Sequence, residues 1–179
     1  MLMAVFCLGA SLIGINAQEK DWANLQRYAQ QNAELPKPDK NEKRVVFMGN
    51  SITEGWVNTH PDFFKSNGYI GRGIGGQTSY QFLVRFREDV INLSPALVVI
   101  NAATNDIAEN TGAYHEDRTF GNIVSMVELA KANHIKVILT TTLPAAAFGW
   151  NPAIKDAPQK IASLNARLKA YAQTNKIPF

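Results

Sequence analysis

The feature that most constrains the fold is the apolar run Pro-Ala-Leu-Val-Val-Ile-Asn at residues 95–101. A near-continuous apolar run of this kind is typical of a strand in a parallel sheet that is covered on both faces. Amphipathic helical periodicity precedes the run at residues 78–93 and follows it from Phe120. Because strands and helices alternate along the chain, we predict an α/β fold with a mainly parallel sheet in three layers.

The remaining elements follow from turn residues and apolar periodicity. Further strands are predicted at residues 44–48, 69–74 and 136–142, with the start of a fifth at 177–179. Helices are predicted at residues 21–35, 60–66, 78–93, from Phe120 to about His134, and around 161–171. Sites in such sheets lie at the carboxyl ends of the strands, so the loops of interest are 49–56, 75–78, 102–110 and 143–158. We expect residues 102–118 to form a long polar loop.

Length and composition narrow the classes of protein. A chain of 179 residues suits one domain, and its shares of 46% hydrophobic and 18% charged residues are those of a globular protein. The net charge is only +3, from 18 basic and 15 acidic residues, and the basic residues are scattered. The composition therefore does not indicate nucleic-acid binding.

The N-terminus differs from the rest of the chain. Residues 2–15 are almost wholly apolar, and residues 1–17 carry no charge. We interpret residues 1–17 as a secretory signal peptide, with a buried N-terminal helix as the alternative. The mature chain is then secreted or periplasmic, not membrane-bound, and without cysteine, because the only cysteine is Cys7. Residues 18–43 follow as an N-terminal helix and linker, and residues 44–179 as the main domain.

Gly49-Asn50-Ser51 follows the first predicted strand and opens a helix. A glycine turn at the end of a central strand lifts a serine hydroxyl out of the sheet, and the helix start offers free backbone N–H groups. Ser51 is therefore a candidate nucleophile. The alternative is that Gly, Asn and Ser serve only as turn and cap residues.

Two later loops carry groups that suit a serine nucleophile. Gly75-Gly76-Gln77-Thr78-Ser79 and Ala103-Thr104-Asn105-Asp106 each follow a predicted strand. Attack on an ester builds negative charge on the carbonyl oxygen, and donors must already point at it. The backbone N–H groups of Ser51 and Gly76 and the amide of Asn105 are suitable donors.

These three motifs, in this order, resemble the SGNH hydrolases, also called the GDSL lipase/esterase family, from about Arg44 to the end of the chain. The resemblance implies Ser51 as nucleophile, Gly76 as backbone oxyanion donor and Asn105 as side-chain oxyanion donor. It also implies a flavodoxin-like α/β/α sandwich. Family members deacylate esters, often acetyl groups on carbohydrates, and need no metal or cofactor.

The sequence departs from the family pattern in three places. Asn50 stands where aspartate is usual, and Ala103 stands where glycine is usual. The family's Asp-x-x-His motif, which supplies the general base, does not occur in the 179 residues. We interpret the chain as C-terminally truncated, with the motif beyond Phe179, and expect this form alone to be nearly inactive. The three histidines have expected surface or capping roles, with His115 within reach of the site: His60, His115 and His134.

Two other kinds of site are disfavoured. Residues 71–76 match the dinucleotide pattern G-x-G-x-x-G, but the next strand does not end in the required acidic residue. Glu109, Glu116 and Asp117 could be paired carboxylates of a glycosidase, but they share one polar loop and suit a solvated surface. No cluster has metal-ligand spacing.

The leading hypothesis is a secreted serine esterase that removes small acyl groups, expected to be acetyl, from carbohydrate or related small-molecule esters. The alternative is an inactive relative that binds carbohydrate or another ligand. In the fourth loop, Phe148 and Trp150 would suit stacking against a sugar ring or acyl group, or else they cap the core.

Overall fold

The computed structural model describes residues 21–179, and the predicted signal peptide with Cys7 lies outside them. The centre of the fold is a sheet of four parallel strands in the order β2-β1-β3-β4. Their bounds are β1 Val45–Gly49, β2 Tyr69–Gly73, β3 Leu97–Ile100 and β4 Lys136–Leu139. The predicted α/β class with a parallel sheet is therefore confirmed.

Helices cover both faces of this sheet. They are α1 Ala29–Glu34, α2 Ser51–Thr59, α3 Pro61–Ser66, α4 Ser79–Asp89, α5 Thr104–Ile107, α6 Glu116–Ala132 and α7 Ala157–Thr174. Phe47 of β1 packs against Trp56 of α2 and Phe64 of α3. Its neighbours Val46 and Met48 belong to the core cluster of α4, α6 and α7. Since successive strand residues face opposite sides, the structure has three layers.

The predicted N-terminal helix 21–35 is interrupted. A short 3-10 helix, Leu25–Arg27, precedes α1, and Tyr28 between them has a non-helical backbone. Asp21 caps the first piece, because its carboxylate accepts hydrogen bonds from the backbone of Leu25 and Gln26 at 2.8 and 2.9 Å. The break lies at Tyr28, which is buried and whose hydroxyl donates to the carbonyl of Gly73 in β2.

The prediction of one long polar loop at residues 102–118 is wrong. Thr104–Ile107 forms α5, and α6 already begins at Glu116. Asn105, Asp106 and Ile107 of α5 are all buried. A four-residue helix is too short for a periodic signal, and its polar residues are buried only because other loops supply their partners.

The C-terminal segment lies beside β4. The backbone N–H of Leu139 donates to the carbonyl of Pro178 at 3.0 Å, and Ile177 is buried. This single bond has the position expected for a fifth strand next to β4, but the segment does not form a ladder.

Arg85 of α4 joins the ends of two strands. Its side chain is fully buried, and one Nη donates to the carbonyls of Gly49 and Arg72 at 3.0 and 2.9 Å. The other Nη pairs with Asp89 at 2.8 Å, and Nε donates to Gln77 at 2.6 Å. Burial lowers the pKa of Arg85, and the hydrogen bond and charge of Asp89 oppose that shift.

We expect Arg85→Met to lower the free energy of unfolding by about 3–5 kcal/mol, because it leaves the buried Asp89 carboxylate and two carbonyls without their donor. Urea denaturation of both proteins measures the change. Arg87→Met on the same helix is the control, because Arg87 is exposed. A loss no larger than that of the control would contradict the central role of Arg85.

Candidate active site

Ser51 is the first residue of α2, directly after the carboxyl end of β1. Asn50 is buried and caps the helix, its Oδ1 accepting from the backbone N–H of Ile52 at 3.0 Å. Ser51 itself is exposed, and its hydroxyl makes no hydrogen bond within residues 21–179. The turn therefore does contain a helix-capping residue, as the alternative interpretation proposed, but that residue is Asn50. The Ser51 hydroxyl is not used for capping.

Two glycines let α2 pack closely on the strand ends. A Cβ at Gly73 would lie 2.3 Å from the backbone nitrogen of Glu54. A Cβ at Gly49 would lie 2.0 Å from Oγ1 of Thr53. Contacts this short are not tolerated, so both glycines are required for the first turn of α2, and with it Ser51, to sit against the sheet.

The second loop lies beside Ser51. The backbone N–H of Gly75 donates to the Glu54 carboxylate at 2.8 Å, and a Cβ on Gly75 would be 3.7 Å from the Cβ of Ser51. Gly76 has a φ of 75°, a conformation that glycine adopts at little cost. Its carbonyl accepts from Asn110 Nδ2 at 3.0 Å, which joins this loop to the segment after α5.

The third loop contacts the second through Asn105. Its Nδ2 donates to the carbonyl of Gln77 at 2.9 Å, and the side chain is buried. Ala103, two residues before it, has a φ of 81°, which accounts for the glycine expected there. An alanine in this left-handed region costs about 1–2 kcal/mol, so the backbone keeps its path at some expense in stability.

The three groups expected to donate to an oxyanion therefore lie on contiguous loops. Within residues 21–179, the backbone N–H groups of Ser51 and Gly76 donate no hydrogen bond. Asn105 uses one of the two N–H bonds of its amide, so the second is available. Their roles in catalysis stay predictions.

Asp106 is a residue of this region to which sequence reasoning gave no role. Its carboxylate accepts from the backbone N–H and the hydroxyl of Ser79, the former at 2.9 Å, and from Thr119 at 3.1 Å. Asn122 adds a hydrogen bond to the Ser79 hydroxyl at 3.0 Å. This network joins α5, which carries Asn105, to the starts of α4 and α6.

The histidines do not contact Ser51. His60 lies next to Thr59 Oγ1, at 2.9 Å, at the far end of α2. His115 precedes α6 and lines a neighbouring cleft, and His134 lies in the turn before the edge strand β4. No histidine in the described part of the chain hydrogen-bonds to the Ser51 hydroxyl.

The two aromatic residues of the fourth loop differ in exposure. Phe148 is 1% exposed and belongs to the hydrophobic core, which favours the core-capping alternative for this residue. Trp150 is 61% exposed, and its indole N–H donates to Asn110 Oδ1 at 2.9 Å. Because Asn110 also binds the carbonyl of Gly76, Trp150 is the one of the pair that lies near the second loop.

The remaining candidate groups have structural partners. Glu109 pairs with Lys160 at 3.7 Å, while Glu116 and Asp117 both pair with Arg167, at 2.9 and 2.8 Å. Residues 21–179 contain no group of three or more His, Cys, Asp or Glu placed to hold a metal ion. None of the helices described is both long enough and apolar enough to cross a membrane.

We expect the stability conferred by Asp106 to depend on pH. Burial raises the pKa of Asp106 above its usual 3.8, against the hydrogen bonds from Ser79 and Thr119. A raised folded-state pKa gives a contribution that is present below the unfolded pKa and is lost as pH rises through the folded pKa. The unfolding free energy of the protein, minus that of Asp106→Asn, should therefore fall from acidic to neutral pH. Asp62→Asn, at an exposed position of α3, controls for the lost charge. A difference that rises with pH would contradict this expectation.

Comparison with solved structures gives close relatives. A structure of a candidate acylhydrolase from Bacteroides fragilis has 99% sequence identity and a TM-score of 0.89, covering 90% of this chain and 77% of the other. A GDSL-like lipase from Bacteroides thetaiotaomicron has 79% identity and a TM-score of 0.87, covering 88% and 77%. The acetyl xylan esterase AlAXEase, at 24% identity, shares the fold with a TM-score of 0.61 over 75% of each chain.

Sequence comparison also identifies lipase and acylhydrolase relatives. The lipoprotein YqeF of Bacillus subtilis is 32% identical over 117 residues, and the match spans 56% of this chain and about half, 48%, of that protein. Residues 47–179 match the GDSL-like lipase/acylhydrolase family, which is most of the chain and includes all three loops described above. The chain belongs to the GDSL-like lipase/acylhydrolase family.

Proposed function

We propose that this protein is a secreted serine esterase that removes small acyl groups, chiefly acetyl, from carbohydrate or related esters. One observation carries the proposal. Ser51 is exposed at the start of α2, and within residues 21–179 neither its hydroxyl nor its backbone N–H makes a hydrogen bond; the N–H of Gly76, likewise without an acceptor there, and the buried amide of Asn105 lie on the loops beside it. Secretion is inferred from residues 1–17 and is supported by the lipoprotein relative.

In the proposed reaction, Ser51 Oγ attacks the ester carbonyl and the alcohol leaves with a proton. The N–H groups of Ser51 and Gly76 and the second N–H of Asn105 stabilise the negative oxygen of the tetrahedral intermediate. Water then attacks the acyl-enzyme and releases the carboxylic acid, which restores Ser51. The family resemblance supports small acyl groups on a carbohydrate alcohol as the substrate.

Attack by a serine at neutral pH needs a base. We propose that this base is the histidine of an Asp-x-x-His motif that the 179 residues do not contain. The family resemblance supports this proposal, as does the lack of any hydrogen bond from a histidine of residues 21–179 to Ser51.

The alternative function is a relative that binds carbohydrate without cleaving it. Trp150 favours it, because an exposed indole held by Asn110 can stack on a sugar ring whether or not Ser51 reacts. Loss of hydrolysis with retained sugar binding would identify that case.

Hydrolysis of aryl acetates tests the nucleophile. In the product of the full reading frame, we expect Ser51→Ala to lower kcat by at least about 10⁴-fold, because no other group forms the acyl-enzyme. Ser66→Ala, at the exposed end of α3, is the matched control and should leave the rate unchanged. Equal rates for the protein and Ser51→Ala would refute the assignment.

The same assay tests the oxyanion donors. Asn105→Ala removes one donor and should lower kcat by about 10²–10³-fold with a much smaller change in KM, since the bond strengthens only in the transition state. The variant also loses its bond to Gln77, so its folding is checked by circular dichroism. A folded variant with unchanged kcat would exclude Asn105 from the oxyanion site.

A further inference from the structure

We propose that a second cleft, adjoining the candidate active site, binds a sugar ring that carries a carboxylate. This inference rests on the proposed function, because it names the kind of carbohydrate on which the esterase acts. The cleft lies between the N-terminal segment, the start of α4 and the loop before α6, and its volume is about 250 Å³. Its lining residues are Trp22, Tyr80, Thr111, Gly112, Ala113, His115 and Arg118.

The cleft is continuous with the second loop of the candidate active site. Thr111 in its wall directly follows Asn110, whose amide donates to the carbonyl of Gly76 at 3.0 Å. The Thr111 hydroxyl also lies 3.1 Å from that of Thr78, at the other end of the same loop. An oligosaccharide with an ester at Ser51 can therefore extend past Gly76 into the cleft.

The backbone on the aromatic side of the cleft is held by two hydrogen bonds. The carbonyl of Trp22 accepts from the side chain of Gln81 at 2.7 Å, and the next carbonyl, of Ala23, accepts from that of Gln77 at 2.7 Å. Trp22 is nonetheless 48% exposed, and the half-buried Tyr80 also lines the cleft. An exposed indole and a tyrosine in the wall of one cleft offer the large apolar surface and polar edge that suit a sugar ring.

The charged side of the cleft is cationic and unpaired. Arg118 is exposed, and its guanidinium makes no hydrogen bond or ion pair within residues 21–179. The acidic residues just before it, Glu116 and Asp117, are both bound to Arg167. His115 adds a second nitrogen donor at the same wall.

A guanidinium that has no partner within residues 21–179, in the same cleft as two aromatic residues, suits a planar anion. Arginine binds carboxylate through two parallel hydrogen bonds, a geometry that neutral sugars do not offer. The ligand that satisfies both sides of the cleft is a uronic acid residue, with its ring on Trp22 and its carboxylate on Arg118.

Calorimetric titration with tetragalacturonate, and with xylotetraose as a neutral ligand of the same length, tests this inference without requiring catalysis. We expect tetragalacturonate to bind more tightly than xylotetraose. Arg118→Gln should raise the Kd for tetragalacturonate by about tenfold, a change of about 1.4 kcal/mol, and leave that for xylotetraose unchanged. Trp22→Ala should weaken the binding of both sugars. Both positions are exposed, so the variants are expected to fold.

Arg87→Gln is the matched control, since it removes an exposed arginine of α4 that does not line the cleft. If Arg118→Gln and Arg87→Gln weaken tetragalacturonate binding equally, the effect is one of overall charge and the proposal is overturned. Equal Kd values for the two sugars would also overturn it.

The assay of aryl acetates separates this inference from the proposed function, because these small esters do not reach the cleft. If aryl acetate hydrolysis depends on Ser51 but sugar binding does not depend on Arg118, the cleft proposal is refuted and the esterase proposal stands. If tetragalacturonate binding depends on Arg118 but hydrolysis does not depend on Ser51, the esterase proposal is refuted and the cleft proposal is supported.

Discussion

The buried guanidinium of Arg85 is the interaction on which the candidate active site depends. Its donors reach the last residue of β1, the carbonyl of Arg72 in β2, the side chain of Gln77 in the second loop and Asp89. A buried charge is costly unless every donor has a partner. Because all four partners must be in place together, the cost of burying the charge favours one arrangement of the two strand ends and the loop between β2 and α4.

Ser51 and its neighbours lie at the carboxyl end of the sheet, where Arg85 holds the strand ends together. In the strand order β2-β1-β3-β4, the loops after β1 and β3 leave the sheet at the point where strand order reverses. Ser51 follows β1 and Asn105 follows β3, while the Gly75-Gly76 loop closes one side through Glu54 and Asn110. The Ser51 hydroxyl and the candidate donors can lie together there without other partners in residues 21–179, because other residues, chiefly Asn50, Gly73 and Asp106, provide the helix cap and the packing.

Much of this could be predicted from the sequence. The apolar run at residues 95–101 and the alternation around it indicated the parallel sheet, and the loop motifs indicated the family and the order of the candidate residues. Short polar elements could not be predicted. Nothing in Thr-Asn-Asp-Ile identifies a buried helix, because Asn105 and Asp106 are buried through bonds to Gln77, Ser79 and Thr119, which are distant in sequence. The break at Tyr28 likewise depends on its contact with Gly73.

The sequence by itself determined the fold class and the candidate chemistry, because strand hydrophobicity, glycine turns and motif order are local properties. Only the tertiary structure decided which polar groups remain free. It placed Phe148 in the core and Trp150 at the surface, although only Gly149 separates them in the sequence, and it brought the distant residues Trp22 and Arg118 into the wall of one cleft. Burial and hydrogen-bond partners depend on what packs against each residue, and that is settled when distant segments meet.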